Sequence, residues 1–171
     1  MQIKYSIALL YGLISGLIST VLFTYINPDS LGENSWIWLP GTVFGIVYSS
    51  YFLRKTPFSS QKIKYSIGLL FVGLSTGAYY LAVCVASILH GTKIYIAIQG
   101  VLAGLCGSFI LILAIWICTL KRPDLNKSLT TLLFGGILGS LLCMGLPTLF
   151  IIWQSIMFLC LASHMPPDEA N

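Results

Sequence analysis

Residues 3–10 read Ile-Lys-Tyr-Ser-Ile-Ala-Leu-Leu, and residues 63–70 read Ile-Lys-Tyr-Ser-Ile-Gly-Leu-Leu. A weaker third copy begins at Lys127, where a lysine again precedes two leucines and an aromatic residue. The three triplets are Leu9-Leu10-Tyr11, Leu69-Leu70-Phe71 and Leu132-Leu133-Phe134. Self-similarity of this kind is typical of a chain built from duplicated units, so the sequence predicts three tandem repeats.

The composition is that of an integral membrane protein. Of the 171 residues, 57% are hydrophobic and only 8% are charged, and the mean hydropathy is +0.90. Soluble domains carry about 25% charged residues. We expect a single membrane domain over residues 1–171 whose main partner is the lipid bilayer. The net charge of +4 is spread along the chain without a basic cluster, so no nucleic-acid partner is expected.

The apolar segments predict an all-α fold with six transmembrane helices. A span needs about 20 apolar residues, and the candidates are residues 5–26, 36–53, 65–89, 94–120, 128–145 and 147–163. The last two come from one apolar stretch that is too long for a single crossing, and Gly145-Leu146-Pro147 predicts a turn near its middle. The alternative is a kinked fifth helix followed by an interfacial segment.

The distribution of cationic residues predicts the orientation. If the N-terminus is cytoplasmic, the inner segments hold eight of the nine Lys and Arg residues and the outer segments hold only Lys93. This bias follows the positive-inside rule and predicts a bacterial inner-membrane protein with both termini in the cytoplasm. The repeats become two-helix hairpins at about 3–55, 63–122 and 127–165. Because they enter the membrane in the same orientation, we expect them to surround a pseudo-threefold axis.

Small residues at four-residue spacing predict the helix–helix contacts, since helices in a bilayer associate by close packing. These seams comprise Gly12, Gly16 and Thr20 on the first helix, Gly41 and Gly45 on the second, Gly73 and Gly77 on the third, shifted by one residue, Gly100 and Gly104 on the fourth, and Gly135 and Gly139 on the fifth. The alternative is that the first-helix seam binds another membrane subunit, or that a seam joins copies of this chain in a homo-oligomer.

In size and number of spans, the chain is similar to the substrate-capture subunits of energy-coupling-factor vitamin transporters. Those are small six-helix proteins whose first helix presents small residues to a partner. The resemblance is one of fold, and it implies that Gly12, Gly16 and Thr20 would contact the partner. It also implies that the loop at residues 27–35 would cap a site.

Residues suited to catalysis are not found inside the predicted spans. No Asp or Glu lies within a span, which removes the usual proton relays and paired carboxylates. In the predicted topology His90 and His164 lie on opposite membrane faces, so they cannot share a metal. The chain is therefore expected to be no enzyme and to need no cofactor or metal.

The polar residues that remain inside predict a layer for a solute. Aligning the second helices of the hairpins brings Pro40-Gly41, Gln99-Gly100 and Gln154-Ser155 into register. Gln99, Gln154 and Ser155 would then orient a small neutral or weakly polar solute of unknown identity, because a carboxamide both donates and accepts hydrogen bonds. The alternative is that the glutamines join neighbouring helices. Accordingly, the leading hypothesis is solute binding or transport, and the rival is a structural or regulatory membrane subunit.

Overall fold

All regular secondary structure in the described part of the chain is helical. The computed structural model describes residues 2–25, 38–56, 60–90, 96–120, 122–141 and 146–165. The predicted capping loop at residues 27–35 lies outside these ranges. The six α-helices are α1 (Gln2–Tyr25), α2 (Leu39–Lys55), α3 (Gln61–His90), α4 (Ile96–Thr119), α5 (Leu125–Gly139) and α6 (Leu146–Ser163).

Three of the helices are long and apolar enough to cross a membrane, and they lie in α1, α3 and α4. Thr148–Ser163 in α6 forms a shorter apolar helix. The other two helices are also short, with 17 residues in α2 and 15 in α5. At 1.5 Å per residue, α5 is about 22 Å long, which is less than the hydrocarbon thickness of about 30 Å.

The fifth helix differs from its predicted span of 128–145. It begins earlier because Asp124 caps its N-terminus, where the carboxylate accepts a hydrogen bond from the backbone N–H of Lys127 at 3.0 Å. Its α-helical part ends at Gly139. Gly145, in the predicted turn, lies outside the described residues, whereas Pro147 falls in the first turn of α6. A proline is tolerated there because its missing N–H has no partner within the helix.

The six helices form a closed ring in which each helix packs against the next along the chain and α6 packs against α1. In addition, α6 touches α2 and α4 across the ring. Neighbouring helices run antiparallel, so α1, α3 and α5 begin at the same end of the bundle. We call this the lower end and the opposite one the upper end.

Aromatic side chains fill the lower half of the ring. Tyr48 of α2 lies with its ring centroid 4.7 Å from that of Phe71 on α3 and 5.0 Å from that of Phe158 on α6. Phe158 also packs against Tyr51, at 5.4 Å, and Tyr11 of α1 packs against Tyr51 at the same distance. These rings fill the centre of the lower half of the bundle.

Candidate functional site

A cavity of about 100 Å³ lies in the upper half of the bundle and is lined by five of the six helices, all except α1. Glycine and alanine residues of α3 and α4 leave this space between larger side chains of α2, α3 and α6. The wall is mostly apolar and consists of Pro40, Gly41, Phe44, Ser75, Ala78, Tyr79, Ala82, Val83, Ala86, Gly100, Ala103, Gly104, Gly107, Leu111, Gly139, Leu149, Phe150, Trp153 and Gln154.

Two of the polar side chains in this wall bind other parts of the protein. The carboxamide of Gln154 accepts a hydrogen bond from Ser15 at 2.6 Å and donates to Ser19 at 3.0 Å and to the carbonyl of Pro40 at 3.4 Å. Ser75 donates to the carbonyl of Gly41 at 2.8 Å. Gln154 therefore joins α6 to α1 and α2, and Ser75 joins α3 to α2.

Two further residues in the wall, Tyr79 and Trp153, carry polar groups. Among the described residues, no hydrogen bond is found for the hydroxyl of Tyr79 or for the indole N–H of Trp153. Both side chains sit next to aromatic neighbours, with Tyr79 6.0 Å from Phe150 and Trp153 6.0 Å from Phe44 between ring centroids. A phenol can donate or accept and an indole can donate, so the cavity combines apolar walls with two unused polar groups.

The predicted polar layer is only partly brought together at this cavity. Gln154 lines it, while Gln99 is buried beside it and its neighbour Gly100 forms the wall. The hydroxyl of Ser155 donates to the carbonyl of Ile151 in its own helix at 2.6 Å and does not face the cavity.

The seam between α4 and α5 is tight and has glycines on both sides. A Cβ atom added to Gly104 would clash with the carbonyl oxygen of Gly135, and one added to Gly139 would clash with that of Gly100. Ser108 packs against Gly135 in the same way and donates to the carbonyl of Gly104 at 2.7 Å. Only glycine at these positions allows the two backbones to touch.

The seam between α2 and α3 has a similar pattern, with Gly41 and Gly45 on α2 and Gly68 on α3. A Cβ atom on Gly45 would lie 2.8 Å from the Cα of Val72, and one on Gly41 would lie 2.9 Å from the carbonyl oxygen of Ser75. The seam is completed by a hydrogen bond of 2.9 Å between the hydroxyls of Thr42 and Thr76.

The first-helix seam contacts α6 of the same chain. A Cβ atom on Gly12 would lie 2.6 Å from the Cα of Ser155, and one on Gly16 would lie 2.7 Å from the Cα of Ile151. The hydroxyl of Thr20 donates to the carbonyl of Gly16 within the helix at 2.9 Å. A partner subunit that used Gly12 and Gly16 would have to displace α6.

In the third hairpin, these contacts place α6 one helical turn away from its position in the predicted alignment of the second helices. Gly12, Val72 and Gly135 each follow the aromatic residue of a triplet, and they face Ser155, Gly45 and Gly104, respectively. Ser155 thus occupies the position of Gly45 and Gly104, not that of Gly41 and Gly100. The hydrogen bonds of Gln154 to Ser15 and Ser19 fix this register.

The predicted seam on the third helix is not a contact within the chain, because its two glycines have open space around them. Gly73 and Gly77 on α3 would meet no atom within 4 Å if a Cβ were added. They lie on the outer surface of the bundle, next to exposed apolar side chains such as Leu69, Leu70 and Tyr80.

Sequence reasoning did not identify Tyr79 and Trp153. Both stand in continuous apolar segments, and only the adjacency of Trp153 to Gln154 offered a signal.

Within the described ranges, no group of three His, Cys, Asp or Glu side chains could hold a metal ion. No protein-family model, curated protein or solved structure matches this chain.

Proposed function

We propose that this chain is a multi-pass membrane protein that binds, or passes, a small and largely apolar solute in the upper cavity. The observation that carries the proposal is a cavity of about 100 Å³ with apolar walls and two polar side chains, Tyr79 and Trp153, without partners among the described residues. An apolar cavity of ~150 Å³ suffices for benzene. The solute would therefore be a neutral molecule of roughly four to six non-hydrogen atoms.

The cavity favours a solute that carries a hydrogen-bond acceptor. Ser75 and Gln154 already bind protein groups, so a guest would compete poorly for them. Tyr79 and Trp153 can each donate to a carbonyl, ether or alcohol oxygen without breaking a bond of the protein. In this proposal the phenol and the indole orient the solute, while Gln154 holds the surrounding helices together.

The proposed architecture is six crossings in three hairpins with both termini in the cytoplasm of a bacterial cell. Two features support the repeat: the helices follow one another around a ring, and glycine seams lie between α2 and α3, between α4 and α5 and between α6 and α1. All three seams join the second helix of one hairpin to the first helix of the next. In this arrangement the short helices α2 and α5 cross a locally thinner bilayer.

A second candidate is a structural or regulatory subunit, and it is favoured by Gly73 and Gly77. Their open surroundings on α3 would let the backbone of another membrane helix approach closely. If a partner binds through small residues, α3 is the better candidate, because the glycines of α1 already contact α6.

A titration followed by nuclear magnetic resonance tests the solute site. The purified protein in lipid nanodiscs is titrated with 2-butanone, which carries an acceptor, and with cyclopentane, which does not. The readout is the indole N–H signal of Trp153, assigned with Trp153→Phe. We expect a saturable shift with both probes. Tyr79→Phe should weaken ketone binding by about 0.5–1.5 kcal/mol, the net contribution of one hydrogen bond, and leave cyclopentane binding unchanged.

Gln154→Leu is the contrasting variant. It removes the contacts to Ser15, Ser19 and Pro40, so it should lower the free energy of unfolding by about 1 kcal/mol. If Gln154→Leu instead abolishes ketone binding without a loss of stability, the glutamine and not Tyr79 orients the solute. A shift that never saturates, with equal slopes in wild type and Tyr79→Phe, would show partitioning into lipid and reject the site.

A further inference from the structure

A second open space, of about 370 Å³, lies at the lower end of the bundle. It forms because α1 and α5 both pack against α6, while the described residues of α1 and α5 make no contact with each other. Leu159 and Cys160 of α6 form its floor, and the first turns of α1 and α5 supply its sides. We call this space the lower groove.

The lower groove carries a cation with unused hydrogen-bonding capacity. The ammonium group of Lys127 donates one hydrogen bond to the carbonyl of Ser163, at 2.7 Å, and caps the C-terminus of α6. An ammonium group has three N–H donors, so two remain available. Asn126 and Tyr5 also line the groove, and neither the carboxamide nor the phenol has a hydrogen bond among the described residues.

The acidic residue closest in sequence does not occupy the groove. Asp124 is not part of its lining, and its carboxylate accepts a hydrogen bond from the backbone N–H of Lys127 at 3.0 Å. The groove therefore presents one positive charge and neutral donors, which is the chemistry that recognises an anionic oxygen group.

The surroundings of the lower groove indicate the source of that anion. It lies at the ends of three helices, where a membrane protein meets the lipid headgroups. The adjacent side chains of α5 that point outward, Leu129 and Leu133, are exposed and apolar. A ligand that carries both a phosphate and a hydrocarbon chain could place the phosphate in the groove and the chain against Leu129 and Leu133.

We propose that the lower groove binds the phosphate of an anionic phospholipid. The headgroup phosphate accepts hydrogen bonds from Lys127, Asn126 and Tyr5, and an acyl chain lies along Leu129 and Leu133. The proposal rests on the membrane location given above, but it does not depend on the solute cavity.

Native mass spectrometry of the purified full-length protein tests the proposal. Binding of the first phosphatidylglycerol is compared with that of the first phosphatidylcholine in the wild type, in Lys127→Gln and in Lys62→Gln. Lys62 is an exposed lysine in the first turn of α3, away from the groove, so it is the matched control. We expect phosphatidylglycerol to bind more tightly, and Lys127→Gln to weaken it about five-fold, the effect expected for one cation near anionic lipid.

The variants separate binding from folding, because the glutamine at position 127 can still donate to the carbonyl of Ser163. Asn126→Ala and Tyr5→Phe leave that cap unchanged and should each weaken phosphatidylglycerol binding about two-fold or more. Unchanged melting temperatures are expected for both.

Three results would overturn the proposal. An equal loss in Lys127→Gln and Lys62→Gln would mean general electrostatic attraction. Equal affinity for the two lipids would mean that the groove does not recognise the anion. Displacement of the lipid by millimolar inorganic phosphate would indicate a site for free phosphate. Failure to retain any lipid would instead contradict the membrane location.

Discussion

Gly104 and Gly107 lie three residues apart on α4, yet their surroundings are opposite. A Cβ atom on Gly104 would clash with the backbone of α5, whereas one on Gly107 would lie 3.6 Å from the Cβ of Ala82, an ordinary contact. The first glycine brings two helices together, and the second leaves space in the wall of the cavity. The comparison shows that glycine in these helices has two distinct uses, close packing and open volume.

Gly77 on α3 extends the comparison to a third environment. It is spaced four residues from Gly73, like the glycines of the α4–α5 seam, but nothing lies within 4 Å of the added Cβ atom. The same sequence pattern therefore occurs at a tight seam and on the outer surface.

The largest loss of unfolding free energy is expected for Gly104→Leu. The leucine side chain would force α4 away from Gly135 and Gly139, and overpacking of this kind costs about 1–3 kcal/mol of unfolding free energy. The measurement is reversible unfolding in mixed micelles. Gly77→Leu is the control and should change the stability by less than about 0.5 kcal/mol.

Equal losses for Gly104→Leu and Gly77→Leu would contradict the distinction between the two environments. Such a result would mean either that the α4–α5 seam is loose or that the surface at Gly77 is covered by another molecule.

Gly107→Ala is expected to change the free energy of unfolding by a smaller amount and in the opposite direction to Gly104→Leu. The added methyl group meets only ordinary contacts, and alanine is favoured over glycine within a helix by up to about 1 kcal/mol. Gly107→Ala should therefore raise the free energy of unfolding, whereas Gly104→Ala should lower it. Thermal unfolding of the two variants side by side makes the comparison, and a loss of stability in both would show that the cavity wall at Gly107 has no spare room.

Much of the fold could be predicted from the sequence, because long apolar segments separated by polar ones leave few alternatives to helices. All six predicted segments contain a helix. The bounds were less accurate at α2, predicted at 36–53 and observed at Leu39–Lys55, and at α5, where the Asp124 cap extends the helix at its start. A cap depends on a single side chain and is not visible in the average hydropathy of a segment.

The spacing of the glycines did not by itself separate the seams from the outer surface. Gly41, Gly45, Gly104 and Gly135 lie at helix contacts within the chain, whereas Gly73 and Gly77 do not. The cavity depends instead on which side chains fail to fill the centre, and this is decided by five helices at once. The unused hydroxyl of Tyr79 could not be predicted because its availability depends on the absence of neighbours.

The smallest change in the free energy of unfolding is expected at the lower end of the bundle. There the contact between α5 and α6 is polar and contains no glycine. His164 follows α6, and its Nε2 lies 3.2 Å from the hydroxyl of Thr131. That hydroxyl donates to the carbonyl of Lys127 at 2.8 Å, so Nε2 must donate and Nδ1, which is buried without a partner, must be unprotonated. Burial lowers the pKa of His164, the charge of Lys127 lowers it further, and Asp124 opposes the shift.

The lowered pKa of His164 determines how the stability of the protein depends on pH. Because the pKa is lower in the folded protein than in the unfolded chain, the unfolded state binds more protons between the two values. The stabilisation is complete above the ordinary histidine pKa of about 6.5, and it is lost progressively as the pH falls from there through the lower pKa of the folded protein. We expect the free energy of unfolding to fall between pH 7.5 and pH 5 more in the wild type than in His164→Gln, whose amide can still donate to Thr131. Identical pH profiles would show that His164 is freely hydrated and that the lower contact between α5 and α6 is open.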